Sequence, residues 1–420
     1  MRLSGGNRKE DSMLEIALEQ ARRFILDVQG LRTDKPCKST IDVAHRIHNI
    51  QIDTISVVTR SHNLITWNRF PNYKEGDVWK AERQGKLFEW WSHAMCLMPM
   101  ETYPFTAWRK QFYPDALWNS FKKWSIENKE TIEQVYRKVK IDGAVNSASL
   151  GKRESKSDGW WDWKVEKRAL EYLFYTGRLM VPYRKGFQKY YDLTERVLPA
   201  GVDSEPLSDD EAAEFVMTTT IGSLGLGSQM DVRTYLGRMP SKVLWNNNAS
   251  AVVCYLEGFV NTGLLEEVSI IGQKDRYFTL AKNSRTLEKA ATEDLEGQPI
   301  KFLSPFDNVI RDRHFPQRLW DFEYALECYT PPDKRRFGYF TLPLLDGISL
   351  VGRVDAKLHR NDGVLELKSL YLEDGFWKRK SGIERLVTGI NDFARFHEAD
   401  GIELGNVSPK SAKDFLKKEI

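Results

Sequence analysis

Apolar residues recur every three or four positions from Met13 to Val28, with Leu14, Ile16, Leu18, Ala21, Phe24 and Ile25 between them. This is the period of a helix with one buried face. Gly30 and Pro36 break it. Ser39 or Thr40 then stands where a second helix needs its cap, ahead of inward positions Ile41, Val43, Ala44 and Ile47. The pattern next changes to strict alternation. In the stretch Asn49 to Asp53, Ile50 and Ile52 fall on one side of an extended chain and Gln51 and Asp53 on the other. A third helix is expected from Thr54 to Trp67. Helix, helix, short strand and helix is the order of a winged-helix or helix-turn-helix core.

Residues 77–140 read as helical and aromatic, notably around Leu87, Phe88, Trp90, Trp91 and Trp108. The polar segment 143–159 reads as a linker or long turn. Another helix is expected from Trp161 to Thr176, followed by two apolar runs around Gly186, which is a hairpin pattern. Part of this unit repeats. Leu170, Glu171, Thr176, Gly177 and Leu179 recur 86 residues later as Leu256, Glu257, Thr262, Gly263 and Leu265. Each copy is a helix that stops at Gly and enters a hairpin, the recognition-helix-plus-wing half of a winged helix. Beyond residue 300, strands are expected at Tyr324–Tyr329, Gly338–Leu342, Ser349–Leu358 and Val364–Leu372. Turns at Asp346-Gly347 and Asn361-Asp362-Gly363 favour a small antiparallel sheet or barrel. A last helix is expected over 382–398.

The fold class is therefore α+β and mainly helical: three tandem winged-helix units and a small antiparallel β-barrel. The expected divisions are 1–142 (with a helical extension), 143–205, 206–299 and 300–420 (the barrel with its C-terminal helix). A length of 420 residues suits several domains.

Composition narrows the chemistry. The 62 basic residues barely exceed the 59 acidic ones, so any affinity for a polyanion must come from local patches. Cys37, Cys96, Cys254 and Cys328 are scattered without CxxC spacing, which argues against a zinc site or disulfide framework and fits a reducing cytoplasm. His45 and His48 are three apart with no third ligand near. There is no phosphate-binding glycine loop, no apolar leader at residues 1–12 and no membrane-length apolar run. No cofactor and no membrane partner is expected.

Three constellations carry possible chemistry. Residues two apart on one face of a strand lie roughly 6.5–7 Å apart, so a water fits between Gln51 and Asp53. Asp53 can accept its proton while the Gln51 amide orients it. Equally, Asp53 can simply be the N-cap of the helix starting at Thr54, with Gln51 a solvated strand residue. The second set is basic residues interleaved with aromatics and hydroxyls: Arg60, Ser61 and His62 on the third helix and Arg69 after it, and Lys164, Lys167 and Arg168 on the next helix. Arg184, Lys185 and Lys189 on its hairpin, Lys334, Arg335 and Arg336, and the strand residue Arg353 complete it. Basic helices with basic wings suit a phosphate backbone, although such clusters also occur as solvated faces. Third, Asp355 upstream of Glu366 and Lys368 resembles the carboxylate–lysine set of metal-dependent nucleases, or the alternating charges of an exposed strand.

Several stretches, read together, point further: Ile50 to His62, Leu87 to Ala94, Lys167 to Phe174, Tyr191 to Pro199, Leu303 to Asn308, Lys334 to Tyr339 and Val351 to Lys357. In order along the chain from about residue 14 to about 400 they resemble the YcaQ/AlkZ family of winged-helix DNA glycosylases, which unhook interstrand crosslinks. The resemblance implies a C-shaped monomer of three winged helices and a β-barrel clasping damaged double-stranded DNA. The family signature is Gln-apolar-Gln or Gln-apolar-Asp. This chain carries the second form at Gln51-Ile52-Asp53, as in the YcaQ-like branch, which is associated with a broader range of crosslinks and alkylated purines. One departure is Val309-Ile310-Arg311, where the family usually reads Leu-Leu-Trp. The rival readings are a non-catalytic winged-helix regulator and a nuclease using Asp355, Glu366 and Lys368.

Overall fold

The computed structural model describes residues 14–113, 119–150, 165–293, 295 and 297–419. The chain forms two compact units. One comprises 1–35, 217–233 and 248–420, the other 36–216 and 234–247.

The chain enters through a short strand, β1 (Leu14–Ile16), before helix α1 (Leu18–Val28). The helix expected from Met13 thus starts later, because Leu14 to Ile16 pair in parallel with a strand more than 250 residues away. Both belong to the first unit.

In the second unit, α2 (Thr40–Ile47) is capped by Ser39, whose hydroxyl accepts from the Asp42 amide at 3.1 Å. Strand β2 (Ile50–Gln51) comes next. The helix expected from Thr54 begins only at Ser61 as α3 (Ser61–Trp67). Two forces delay it: Thr54, Ile55, Val57, Val58 and Thr59 are β-branched and poor helix formers, and Asp53 turns the chain by accepting from the Ile55 amide at 2.7 Å. After α4 (Asp77–Arg83), the aromatic run expected to be helical is strand β3 (Leu87–Trp91), paired antiparallel with β4 (Met95–Pro99). The sheet order is β2-β4-β3, placing Gln51 opposite Cys96 and Cys96 opposite Trp90. Residues directly opposite share a face, so Gln51 lies on the face of two fully buried side chains. Trp90 packs 5.0 Å from Phe174, joining this sheet to α5 (Val165–Tyr175).

The internal repeat is present. Helix α5 leads through Gly177 (φ 80°) to the hairpin β5 (Leu179–Lys185) and β6 (Gln188–Leu193). In the first unit, α6 (Ala249–Asn261) leads through Gly263 (φ 74°) to β7 (Leu265–Ile270) and β8 (Tyr277–Leu280). Strand β7 also receives β1, giving the order β1-β7-β8.

The C-terminal sheet departs from the expected barrel. Strands β9 (Lys301–Phe302), β10 (Thr341–Asp346), β11 (Ser349–His359), β12 (Val364–Leu372) and β13 (Gly401–Ser408) lie in the order β13-β12-β11-β10-β9. Strands β9 and β13 are edges, so the sheet is open among the described residues. It is also mixed, because β12 and β13 run parallel through helix α7 (Lys380–Phe396). Parallel neighbours need such a crossover, which the expectation of an antiparallel sheet or barrel does not include. Phe393 of α7 stacks on Phe302 at 4.4 Å and closes the core. Residues 324–329 are not a strand, and β10 begins at Thr341. The amides of Arg336, Phe337 and Gly338 go instead to the Glu327 carboxylate at 2.9, 2.9 and 3.1 Å.

Candidate active site and DNA interface

Gln51 and Asp53 sit where β2 ends, two residues apart. The Ile52 amide still bonds to the Met95 carbonyl at 2.8 Å, so the chain remains extended between them. Gln51 is buried, and its Oε1 lies 3.0 Å from His93 Nε2. The amide nitrogen of Gln51 has no hydrogen-bond partner among the described residues. Asp53 is half-buried. Oδ1 takes the Ile55 amide, and Oδ2 has no partner among the described residues. Burial pushes the Asp53 carboxyl above the ordinary carboxylate range against the weaker pull of the Ile55 amide, making it a better base. Asp53 is not the cap of a helix, since α3 starts eight residues further on. It makes an Asx-type turn.

The sequence assigns His93 no role, because its segment reads as helical. It stands in the turn between β3 and β4, closed by the Ser92 amide bonding to the Ala94 carbonyl at 2.8 Å. Two groups grip the turn. Buried Arg109 donates to the Ser92 carbonyl at 3.3 Å, and Gly237 (φ 87°) lies so close that a Cβ there would come within 2.7 Å of that oxygen and 3.5 Å of His93 Cα.

The basic residues divide into two groups. Ser61, His62, Arg69 and Arg353 are buried, which corrects the expectation that they meet DNA directly. Burial, reinforced by Arg60 and Arg184, holds the His62 imidazole down at about 3, so it carries no charge at neutral pH. Arg69 donates to the Ile65 carbonyl at 3.1 Å. Arg353 lies between the rings of Phe322 and Phe337, at 4.3 and 4.1 Å. Arg184 is likewise engaged: its side chain is 8% exposed and chelates the fully buried Glu89 carboxylate, with Nη2 2.7 Å from Oε2. Phe187, at the hairpin tip with φ 66°, is gripped by the guanidiniums of Arg60 (4.0 Å) and Arg184 (4.6 Å). This end of the hairpin is therefore docked within its own unit.

Other positions face outward. Lys185 and Arg336 are exposed, with Arg336 over the Phe337 ring at 4.6 Å. Arg335 is half-buried over Tyr339 at 5.0 Å, anchored to the Thr330 carbonyl at 2.8 Å. Burial raises the Glu327 carboxyl, but the three amides of the 336–338 turn outweigh that and hold it below the ordinary range, fixing the loop. Arg168 lies over Trp124 at 4.5 Å. Lys164 lies outside the described residues. Val309 and Ile310 are buried, so the departure from the family pattern there falls in the core.

The nuclease constellation does not assemble. Asp355 faces Ser369 across the ladder and accepts from the Tyr339 amide at 2.9 Å, while Glu366 lies opposite Lys357 and engages His359 at 2.8 Å. No group of three or more His, Cys, Asp or Glu side chains among the described residues is placed to hold a metal. No helix among them is long and apolar enough to cross a membrane.

The described residues thus combine a repeated helix–hairpin unit, an open mixed sheet and an amide–carboxylate pair at a strand end. The solved structure of the Streptomyces sahachiroi DNA glycosylase AlkZ matches this one with a TM-score of 0.64, covering 94% of this chain and 100% of that one; at 16% identity the likeness is one of fold. The model of the family described as DNA glycosylase AlkZ-like matches residues 45–396, and the chain belongs to that family. It is a DNA glycosylase, a DNA-repair enzyme acting on DNA.

Proposed function

We propose that the enzyme is a monofunctional glycosylase that hydrolyses the N-glycosidic bond of N7-alkylated purines and unhooks interstrand crosslinks, with Asp53 as base and Gln51 positioning the water. The observation that carries this reading is the Gln51–Asp53 pair: a buried amide and a carboxylate of raised basicity, two residues apart on an extended chain, each with one polar atom uncommitted among the described residues. An N7-alkylated guanine already bears positive charge. When the C1′–N9 bond breaks, its electron pair neutralises the purine, so no general acid is needed. The carboxylate stabilises the oxocarbenium-like sugar and takes the proton as the water oxygen bonds to C1′. No lysine stands in the pair as a Schiff-base nucleophile, so no lyase step ensues.

The same reading assigns winged-helix units to 1–142, 143–205 and 206–299. In the first, α2, β2, α3, α4 and the β3–β4 hairpin come in winged-helix order, and in the others α5 and α6 precede their wings. The enzyme works as a cytoplasmic monomer on damaged duplex DNA. A shallow site suits a crosslinked base, which is tethered and hard to flip into a deep pocket. The test is release of 7-methylguanine from methylated DNA and unhooking of a nitrogen-mustard crosslink, each with and without EDTA. Equal abasic-site formation in both arms supports the reading. Strand scission that needs Mg²⁺, or a covalent adduct trapped by borohydride, overturns it.

On this reading Lys185, Arg335 and Arg336 contact phosphates. Arg336→Ala is expected to weaken binding about equally across sequences and to lower the slope of log K against log salt by about one. Fluorescence anisotropy on a labelled duplex between low and moderate salt measures this.

A further inference from the structure

We propose that His93 is a positioning residue for the reaction, fixing the orientation of the Gln51 carboxamide; this rests on the role proposed for Gln51 above. The imidazole Nε2 lies 3.0 Å from Gln51 Oε1; because an amide oxygen can only accept, this contact is a hydrogen bond given by the Nε2–H tautomer of His93. The bond decides which end of the amide meets the water. An unanchored carboxamide turns readily, since its oxygen and NH₂ are nearly equal in size. With Oε1 held by His93, the NH₂ is left for the water. A water that accepts one N–H and gives one proton to Asp53 keeps a lone pair for C1′. In the opposite orientation Oε1 takes a water proton, competing with the base.

Two further observations bear on His93. Its turn is clamped from both sides, by the Arg109 guanidinium at 3.3 Å from the Ser92 carbonyl and by Gly237, where a Cβ would come within 2.7 Å of the same oxygen. And Gln51 belongs to the two-residue strand β2 at the end of its sheet, so the ladder fixes its backbone while a side-chain partner must fix its amide. A rigid turn holding a single imidazole against that amide supplies such a partner.

The test is a double-mutant cycle read by single-turnover excision of 7-methylguanine, with duplex affinity and melting temperature measured for every variant. His93→Ala is expected to slow excision between about 10-fold and 100-fold with affinity within about twofold of wild type. His93→Gln, which carries an amide N–H at the reach of Nε2, is expected to recover much of the loss. In a Gln51→Ala background, His93→Ala should cost almost nothing more. Additive losses in the cycle, a wild-type rate for His93→Ala, or no recovery with glutamine overturn the inference alone, provided Gln51→Ala and Asp53→Asn are impaired. If those two variants excise at the wild-type rate, the reading of the pair itself falls, and the inference with it.

Discussion

Asp53→Asn is expected to lower the single-turnover excision rate by about 10²- to 10⁴-fold, the usual worth of a positioned general base, while duplex affinity stays within about twofold. The same substitution should leave the protein no less stable at neutral pH, and slightly more so. Burial raises the folded-state pKa of Asp53 above its unfolded value. Its favourable contribution is therefore complete below the ordinary carboxylate range and is lost as pH rises through the folded value, so at neutral pH the ionised side chain is a liability. Asparagine carries no charge and keeps an oxygen for the Ile55 amide. Loss of rate with a gain in melting temperature separates a base from a structural cap, whose removal would lower both. For the wild type, the acid limb of kcat/KM should fall at a pH above the ordinary carboxylate range, and EDTA should not move it. An Asp53→Asn variant that excises at the wild-type rate would remove the carboxylate from the mechanism.

The alternation of Gln51 and Asp53 was legible in five residues, because side-chain direction in an extended chain is set by position alone. The conformation of residues 54–60 was not. The apolar positions of 54–67 satisfy a helical period, but β-branching and an Asx turn act locally and postpone the helix to Ser61. The opposite error placed β3 in a helix. Leu87 to Trp91 is buried nearly throughout, and a short apolar run without alternation does not distinguish a core strand from a core helix. That error also hid His93, whose proximity to Gln51 exists only once β4 lies between β2 and β3. The helix–Gly–hairpin repeat was readable because glycine at positive φ marks both junctions, Gly177 and Gly263. The barrel was not, because whether a row of strands closes depends on edge pairing that no local pattern encodes. Charge misled most at Arg184: its spacing on a hairpin matches a phosphate ligand, and only the tertiary fold reveals the buried carboxylate it serves.

Glu89→Ala is expected to destabilise the second unit by about 3–5 kcal/mol, the usual cost of stranding a buried charge. For a unit of this size that is a fall in melting temperature on the order of 10 °C. Its carboxylate has no exposed surface, chelates Arg184 and lies 3.9 Å from Lys189 Nζ. Both oxygens of neighbouring Glu82 are buried without a hydrogen-bond partner among the described residues. Burial first, and then the charge of Glu89, push the Glu82 carboxyl well above the ordinary range. The contribution of Glu82 is complete below the ordinary carboxylate range and drains away as pH rises through its raised value. Glu82→Gln should accordingly flatten the decline in stability as pH rises above the ordinary carboxylate range, as thermal melts across pH would report. Replacing both partners, Glu89→Leu with Arg184→Met, should recover part of what Glu89→Ala loses, because one buried cation, Lys189, instead of two is then left without its carboxylate. The same cluster decides what Arg184 is for. If it neutralised a phosphate, Arg184→Met would lower the salt slope of DNA binding and leave the melting temperature alone. Because it chelates Glu89 and grips Phe187, the expected result is the reverse: a lower melting temperature with the salt slope unchanged.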